Sequence, residues 1–313
     1  MALTTLSNVN AAGTAALNTF IRDIVIDQFQ QNTRFKGLGR VVNLPMGSYT
    51  YQFDIVSDTG LTLANTTITE GNTPNAKAFA MSRVTVTTEE RMAHHVLTEK
   101  MLRQGQHKLD VFEIAGRELG RGMANVFDKY IQSKINDGTN VIYATGSARG
   151  SVGTGNNITE DMVHQGMTTL AGNSAPKLEQ EKYVMVIHPN IAYNLRSETA
   201  GFIDFAKYNA QEKIFNGEIG SMWGVKVVVS DNVDFFAGEG SSGANVYPCY
   251  MMGEEAFGVV LGKDLTTGIV MPTRSESDPH AQRGNVAAEF DLGADILKQE
   301  SLVRLEVGAS YEG

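Results

Sequence analysis

The sequence predicts an α+β protein whose helices and strands occur in separate groups along the chain. Two stretches, 17–31 and 111–137, carry apolar residues at the three- and four-residue spacing of amphipathic helices. Two others, 49–55 and 84–87, alternate apolar and polar residues as half-buried strands do. Because strands and helices do not alternate strictly, a doubly wound parallel sheet is disfavoured.

The composition indicates a globular chain, long enough for one large domain or two smaller ones. Of its 313 residues, 42% are hydrophobic and 19% are charged, which distinguishes it from disordered chains. A formal net charge of −9 argues against a broad basic surface for nucleic acid. The single cysteine, Cys249, allows neither an intrachain disulfide nor a thiolate metal cluster. The sequence carries no membrane-spanning apolar run and no recognisable signal peptide.

The chain begins with a small, polar segment. Residues 1–16 contain almost nothing to bury, so an extended or mobile arm is expected there. The helix at 17–31 then presents an apolar stripe that packs either on its own domain or on a neighbouring chain. The stripe consists of Leu17, Phe20, Ile21, Ile24, Val25 and Phe29.

The two predicted strands bracket a long excursion, Ser57–Lys77. It exceeds the usual hairpin loop of about 2–5 residues, and long loops are commonly functional or disordered. Its apolar residues, Leu61, Leu63 and Ile68, are too few to form a core. We expect a hairpin arm whose apolar residues become buried on another subunit; the alternative is a solvated loop.

The clearest element is the long helix over 111–137. At about 1.5 Å per residue it spans roughly 40 Å. Gly116 and Gly120 within it favour close packing of another element, and Gly138 after it offers a left-handed stop.

A glycine-rich stretch, Gly146–Asn157, separates this helix from a block of mixed pattern. Thr159 is placed to cap a helix, and His188-Pro189-Asn190 to begin another. Strands are predicted at Tyr183–Ile187, Val225–Val229, Tyr247–Met252, Ala256–Leu261, Gly268–Met271 and within Ala287–Val307.

No motif marks an active site. Gly146–Asn157 lacks the Gly-Lys-Ser/Thr end of a phosphate-binding loop, so a flexible loop is expected. His94 and His95 lie near Glu90, but adjacent histidines do not match a zinc-protease motif, and an ordinary surface or hydrogen-bonding role is predicted. His188 is interpreted as a turn-capping group, because neither a nucleophile nor a second ligand accompanies it. We therefore predict no catalytic, cofactor-binding or metal-binding residue.

The order of elements resembles the major capsid proteins of tailed bacteriophages, whose architecture is the Johnson fold, also named for phage Hong Kong ninety-seven. A polar arm with an amphipathic helix, a long two-stranded excursion, a long helix, a compact mixed block and a return strand follow one another as in that family. Two stretches, His188–Leu195 and Gly217–Ser230, are similar to recurrent sequences of the family. The resemblance covers nearly the whole chain.

This resemblance implies a division of the chain into four parts. They are an N-terminal arm with the amphipathic helix (1–44), an extended loop (45–88), a peripheral domain (89–158 and 273–313) with its spine helix at 111–137, and an axial domain (159–272). The first residues show no long cleavable scaffolding segment such as some members carry, so a separate scaffold or none is expected.

The function implied is that of a structural coat protein which self-assembles into hexamers and pentamers of an icosahedral phage head around double-stranded DNA. Implied partners are the chain itself, scaffolding, portal and cement proteins, and packaged DNA through non-specific contact, without a membrane. The implied location is the virion, after assembly in the host cytoplasm. A shell protein of a cellular nanocompartment with the same fold, and an enzyme of an unrecognised family, stay open as alternatives.

Two finer expectations accompany the resemblance. Some members crosslink a loop lysine to a neighbour's asparagine, and Lys77 is the only lysine of that region here, with no partner asparagine identified. Arg34, Lys36 and Arg40 form a local basic spot that could line an inner surface.

Overall fold

The computed structural model describes residues 6–45, 47–58, 61, 66, 70, 80–104, 108–178, 182–198, 218–222, 224–270 and 279–311. Its helices are α1 (Leu6–Asn32), α2 (Glu99–Gln104), α3 (Lys108–Ile135), α4 (Glu160–Gly172) and α5 (Pro189–Glu198). Its strands are β1 (Arg40–Asn43), β2 (Thr50–Asp58), β3 (Ala80–Thr87), β4 (Glu89–Thr98), β5 (Val141–Tyr143), β6 (Tyr183–Ile187), β7 (Glu218–Met222), β8 (Val225–Val229), β9 (Tyr247–Met252), β10 (Phe257–Val270), β11 (Arg283–Ile296) and β12 (Leu302–Val307). This mixture confirms the predicted α+β class.

Helix α1 begins at Leu6, so the expectation of an extended segment over 1–16 is wrong from that residue onward. The segment is rich in alanine, which has the highest helix propensity of all residues. A helix nucleated by the apolar stripe extends through such a segment at one hydrogen bond per residue, without needing side chains to bury. Residues 1–5 lie outside the described residues.

The apolar stripe of α1 packs on α3 of the same chain. Ile21, Val25 and Phe29 are buried in one cluster with the apolar face of α3. A Cβ atom added at Gly120 would lie 2.7 Å from the Val25 carbonyl oxygen, and one at Gly116 would lie 3.0 Å from Ile21 Cγ2. The predicted close packing at these two glycines is therefore confirmed, and for this stretch of α1 the packing partner lies within the same chain.

A four-stranded sheet with the order β1-β10-β11-β4 lies against α3. Alternate residues of β11, among them Val286, Ala288 and Phe290, share a buried cluster with Phe127 and Ile131 of α3. On the opposite face of β11, Gly293 lies against β3, where an added Cβ atom would lie 2.7 Å from the Thr87 carbonyl oxygen. Helix α3 therefore lies at the centre of this half of the protein, between α1 and the four-stranded sheet.

Strand β10 is continuous, whereas the sequence predicted two separate strands within it. Its pairing with β11 is irregular at two points between the predicted strands, from Leu261 to Lys263 and from Lys263 to Thr266. A Cβ atom at Gly262 would lie 2.1 Å from Asp291 Oδ2, so any larger residue there would displace this carboxylate. Since β10 pairs with β11 along its length, it belongs to the four-stranded sheet, whereas the implied boundary at residue 272 grouped it with the axial block.

A six-stranded sheet, β5-β12-β9-β6-β8-β7, forms the other half. One face packs with α4 and α5, where Met185 and Ile187 meet Val163 and Leu195. The other face, including Val184, joins the cluster around α3. Both faces are covered, which explains why β6 reads as a continuous apolar run.

The start of α4 has the predicted cap, whereas the end of α3 differs from its prediction. The Thr159 side chain accepts a hydrogen bond from Met162 N at 3.3 Å, as the cap prediction requires. Gly138 does not have the positive φ angle of a left-handed residue, unlike Gly146 and Gly224. Instead, a Cβ atom at Gly138 would lie 3.0 Å from Leu302 Cδ2, so close approach of a neighbouring side chain explains this glycine and the predicted left-handed stop is wrong.

Candidate functional site

Strands β2 and β3 form a separate antiparallel hairpin, as predicted, with Thr50 opposite Thr87 and Phe53 opposite Val84. Its base is anchored, because Phe53, Ile55 and Val86 are buried in a small cluster with residues of the four-stranded sheet. The anchored base gives the rest of the hairpin a fixed point of departure from the body.

Large apolar side chains are exposed along this hairpin. Tyr49 is 67%, Val56 50%, Leu61 61% and Met81 56% exposed. Val56 and Met81 stand opposite each other across the two strands, so their side chains form one exposed apolar patch, and such a patch marks an interaction surface. Leu63, Ile68 and Lys77 of the predicted excursion lie outside the described residues.

A second apolar surface lies on the face of the four-stranded sheet that α3 does not cover. Met92, Val96 and Val270 are 66%, 49% and 56% exposed there, beside a cavity of about 460 Å³. Asn285 lines this cavity, and its buried Oδ1 atom has no hydrogen-bond partner among the residues that the structure describes. Sequence reasoning missed this surface because β4 gave too little alternation to be predicted as a strand.

The helices add a third set of exposed apolar residues. Phe20 of α1 is 45% exposed, and Ile114 and Val126 of α3 are 62% and 44% exposed. Phe20 belongs to the apolar stripe predicted for this helix, and its exposure shows that the packing on α3 does not cover the whole stripe. Three separated apolar surfaces on one subunit suit a protein that contacts several neighbours at once.

A buried polar joint connects the two halves of the subunit. Asp128 of α3 is fully buried, and its carboxylate accepts hydrogen bonds from the backbone N–H groups of Arg34 and Phe35 and from Asn232 Nδ2. One turn later, Gln132 Nε2 donates to the Asn232 carbonyl oxygen at 2.8 Å. Burial raises the pKa of Asp128, and it outweighs the hydrogen bonds, which lower it. The joint fixes the end of the N-terminal helix and the loop after β8 on one helix face.

The glycine-rich loop holds an arginine that is already neutralised. Arg149 makes two hydrogen bonds of 2.8 Å to Glu306, a fully buried carboxylate. It also pairs with Glu239 and stacks on Phe236 at 3.4 Å from the ring centroid. Glu306 further accepts from Arg304 Nε at 2.8 Å. Because this guanidinium is paired with carboxylates, the loop is fastened to β12 through Glu306, which differs from the flexible loop that the sequence predicted.

His188 has the turn-capping contact that its structural interpretation expects. The backbone N–H of Asn190, at the start of α5, donates to His188 Nδ1 at 3.2 Å. The ring lies against Tyr247 and Phe235, and burial lowers the pKa of His188. The neutral imidazole therefore accepts a hydrogen bond from a backbone N–H group at the start of α5.

His94 and His95 lie on strand β4, not on a helix. Successive side chains of a strand point to opposite faces, so these two imidazoles cannot share a ligand. Across the residues that the structure describes, no group of three or more His, Cys, Asp or Glu side chains is arranged to hold a metal ion, and no helix is long and apolar enough to cross a membrane.

The predicted basic spot is partly neutralised. Lys36 lies 3.9 Å from Asp264, and Arg40 lies 3.3 Å from Glu255. Paired cations attract phosphates less than free ones do, which limits this spot as a nucleic-acid contact.

The fold matches solved structures of phage shells along nearly its whole length. The capsid of Ralstonia phage GP4 superposes with a TM-score of 0.67 at 14% identity, covering 90% of this chain and 92% of that chain. For the capsid asymmetric unit of cyanophage Pam1 the TM-score is 0.65 at 13% identity, with 91% and 93% covered, and for the capsid of cyanophage P-SCSP1u it is 0.63 at 16%, with 89% of each chain covered. The architecture is that of a phage capsid subunit, which confirms the Johnson fold.

The sequence leads to the same class. Residues 95–305 match the model of a family described as phage capsid protein. This match spans more than half of the 313 residues, so the chain belongs to that family. It is a structural coat protein of the virion capsid and assembles into capsomers of an icosahedral shell; the nanocompartment alternative is not favoured. A comparison with curated proteins gives no match.

Proposed function

We propose that this coat protein forms the hexamers and pentamers of an icosahedral head that encloses double-stranded DNA, and that it assembles in the host cytoplasm. Family membership supports the coat role, and the anchored hairpin with its exposed apolar residues supports the mode of assembly. Scaffolding and portal proteins, and cement proteins where present, are the partners that such a head needs.

The hairpin is the proposed intersubunit arm. Its base is buried on the four-stranded sheet through Phe53 and Val86, while Tyr49, Val56 and Met81 are exposed. Burying an exposed side chain of this size gains about 1.5–3 kcal/mol, so each arm that docks on a neighbour contributes a moderate, repeatable contact. This arrangement is the observation that carries the proposal.

The proposed domains correspond to the two large sheets. We propose that the four-stranded sheet with α3 forms the peripheral domain and that the six-stranded sheet with α4 and α5 forms the axial domain, with 1–44 as the N-terminal arm, whose helix α1 packs on α3, and 45–88 as the extended loop. Strands β5 and β12, which the sequence-based division placed in the peripheral domain, join the axial domain because they belong to the six-stranded sheet. Strand β10 joins the peripheral domain because it pairs with β11. We propose no catalytic, cofactor or metal role for any residue, and only non-specific contact with packaged DNA, since the net charge is −9.

Expression of the full chain tests the proposal, first alone and then with the scaffolding and portal proteins of its own phage. Sedimentation and negative-stain microscopy of the purified protein are expected to show capsomers or closed shells. A double variant, Val56→Ser with Met81→Ser, removes exposed apolar surface from the arm and is expected to reduce shell yield. The matched control is Tyr193→Ser on α5, which removes an exposed aromatic residue from outside the arm. A strictly monomeric protein under all these conditions would overturn the proposal.

A further inference from the structure

Strand β4 closes one side of the four-stranded sheet, and its outer edge meets no other strand among the described residues. Its pairing with β11 is regular from Glu89 to Thr98, without a bulge. Only Leu97 is buried along the strand. An edge of this kind presents unpaired N–H and C=O groups, which soluble proteins commonly shield with bulges or prolines. β4 has neither, but it carries the charged residues Glu89, Glu90 and Arg91, which also shield an edge. Its edge is therefore suited to pair with a strand whose side chains complement these charges.

The side chains along this edge are self-complementary about Met92. Glu90 and His94 lie two residues to either side of it, and Glu89 and His95 lie three residues to either side. In an antiparallel pair of two copies centred on Met92, each Glu90 stands opposite a His94 and each Glu89 opposite a His95. Directly opposed residues lie on one face with Cβ atoms about 4.5–5.5 Å apart. Each carboxylate acceptor then meets an imidazole N–H donor.

Other registers lack this match. A shift that places His94 opposite itself puts Glu90 opposite Thr98, and a shift the other way places Arg91 opposite Arg91. Like charges directly opposite are destabilising. A one-residue slip would turn apolar side chains to the wrong face. Only the register centred on Met92 opposes every glutamate with a histidine.

The groups needed for this contact are available in the subunit. Met92 is 66% exposed, and Glu90, His94 and His95 are exposed with no side-chain hydrogen bond or ion pair to the described part of the chain. Glu89 already pairs with Arg91 of its own strand. The Glu90–His94 pairs, which lie on the same face as Met92, therefore carry most of the complementarity.

We propose that β4 of one copy pairs antiparallel with β4 of a second copy across a two-fold axis at Met92, which joins two four-stranded sheets into one continuous sheet. This inference rests on the proposed assembly function, because it assigns one contact of the shell. The overlap from Glu89 to His95 is short compared with the roughly 20–30 residues a side of a standard interface. The contact therefore acts inside assembled particles, as a weak bond strengthened by repetition.

Disulfide trapping tests the register directly. The chain has a single cysteine, Cys249, which is fully buried, so Met92→Cys introduces the one accessible thiol. Oxidation of assembled particles is expected to convert most of this variant to dimers on a non-reducing gel. The control is His94→Cys. In the proposed pair, the introduced thiols of the two copies lie four residues apart along the strands, or about 13 Å, which is beyond the reach of a disulfide. This variant is expected to stay monomeric.

Each outcome of trapping has a distinct meaning. Dimers from His94→Cys but not from Met92→Cys would overturn the register. Intact particles that yield dimers from neither variant would overturn the contact, including the case in which a strand of another protein covers this edge. Wild-type chains that form no particles at all would overturn the proposed function, and this contact with it.

A charge exchange tests the complementarity. In a Met92→Cys background, His94→Glu with His95→Glu places carboxylates opposite carboxylates and is expected to reduce the dimer fraction at least about fivefold, or about 1 kcal/mol. Adding Glu89→His and Glu90→His exchanges the two ends and is expected to restore the dimer. Circular dichroism confirms that each variant is folded. A folded exchange variant that fails to restore the dimer would contradict the proposed pairing.

Discussion

Asn232 Nδ2 lies 2.9 Å from Asp128 Oδ2 and 2.8 Å from the Asn32 carbonyl oxygen, and so ties α3 to the end of α1. These residues are far apart in sequence and belong to both halves of the subunit. Because the carboxylate faces only donors, its replacement should affect the whole joint.

Asp128→Asn is expected to destabilise the subunit by about 1–3 kcal/mol. Whichever way the amide turns, its N–H₂ group faces other donors, either the backbone N–H groups of Arg34 and Phe35 or Asn232 Nδ2. Chemical denaturation of the unassembled protein measures the effect. Asp137→Asn, at an exposed position just after α3, serves as the control and should leave stability nearly unchanged; equal losses in both variants would contradict a special role for the buried carboxylate.

The same residue predicts a pH dependence. Burial raises the pKa of Asp128 in the folded state above its unfolded value, so the folded protein binds this proton more tightly. Its contribution to stability is then full below the unfolded pKa, about 3.9, and is lost as the pH rises through the higher folded pKa. As the pH rises through this interval, the wild type should therefore lose part of its advantage in unfolding free energy over Asp128→Asn. A difference that grows in favour of wild type would show that the hydrogen bonds outweigh burial.

Local patterns in the sequence predicted local structure well. The stripe of α3, the alternation of β2 and β3 and the cap at Thr159 each depend on residues within a few positions of one another. The Asp128 joint and the irregular pairing at Gly262 depend on partners distant in sequence, such as Asn232 and Asp291, which no periodicity reveals. For the proposed assembly surfaces, the sequence pointed to the apolar residues around Leu61, of which Leu63 and Ile68 lie outside the described residues, and it gave no signal for β4.

Two glycines of α3 offer a matched test of helix packing. Gly120→Ala is expected to destabilise the subunit by about 1–3 kcal/mol, because the new Cβ atom would lie 2.7 Å from the Val25 backbone oxygen, which cannot move without shifting α1. Gly122→Ala is expected to stabilise the isolated subunit by about 0.5–1 kcal/mol, since a Cβ atom there meets open space. Thermal melting compares the two; losses of similar size would show that α1 does not pack on α3 as described.

Deletion of Asp58–Ala76 is expected to leave the body folded while abolishing assembly. The buried base of the hairpin, Phe53, Ile55 and Val86, lies outside the deletion, and strands β2 and β3 can still pair through a shorter turn. The deletion shortens the connection from the residues 59–79 to three residues, which is nearly three halvings at about 0.6 kcal/mol of closure entropy each in favour of the folded state. Circular dichroism should therefore change little, and the melting temperature should not fall. Assembly should respond far more strongly, because every subunit of a closed shell repeats the lost contact and multivalency amplifies a loss of even about 1–2 kcal/mol per contact. Intact shells of the deletion variant by electron microscopy would show that the excursion is not an intersubunit arm, whereas loss of the melting transition would show that it belongs to the core.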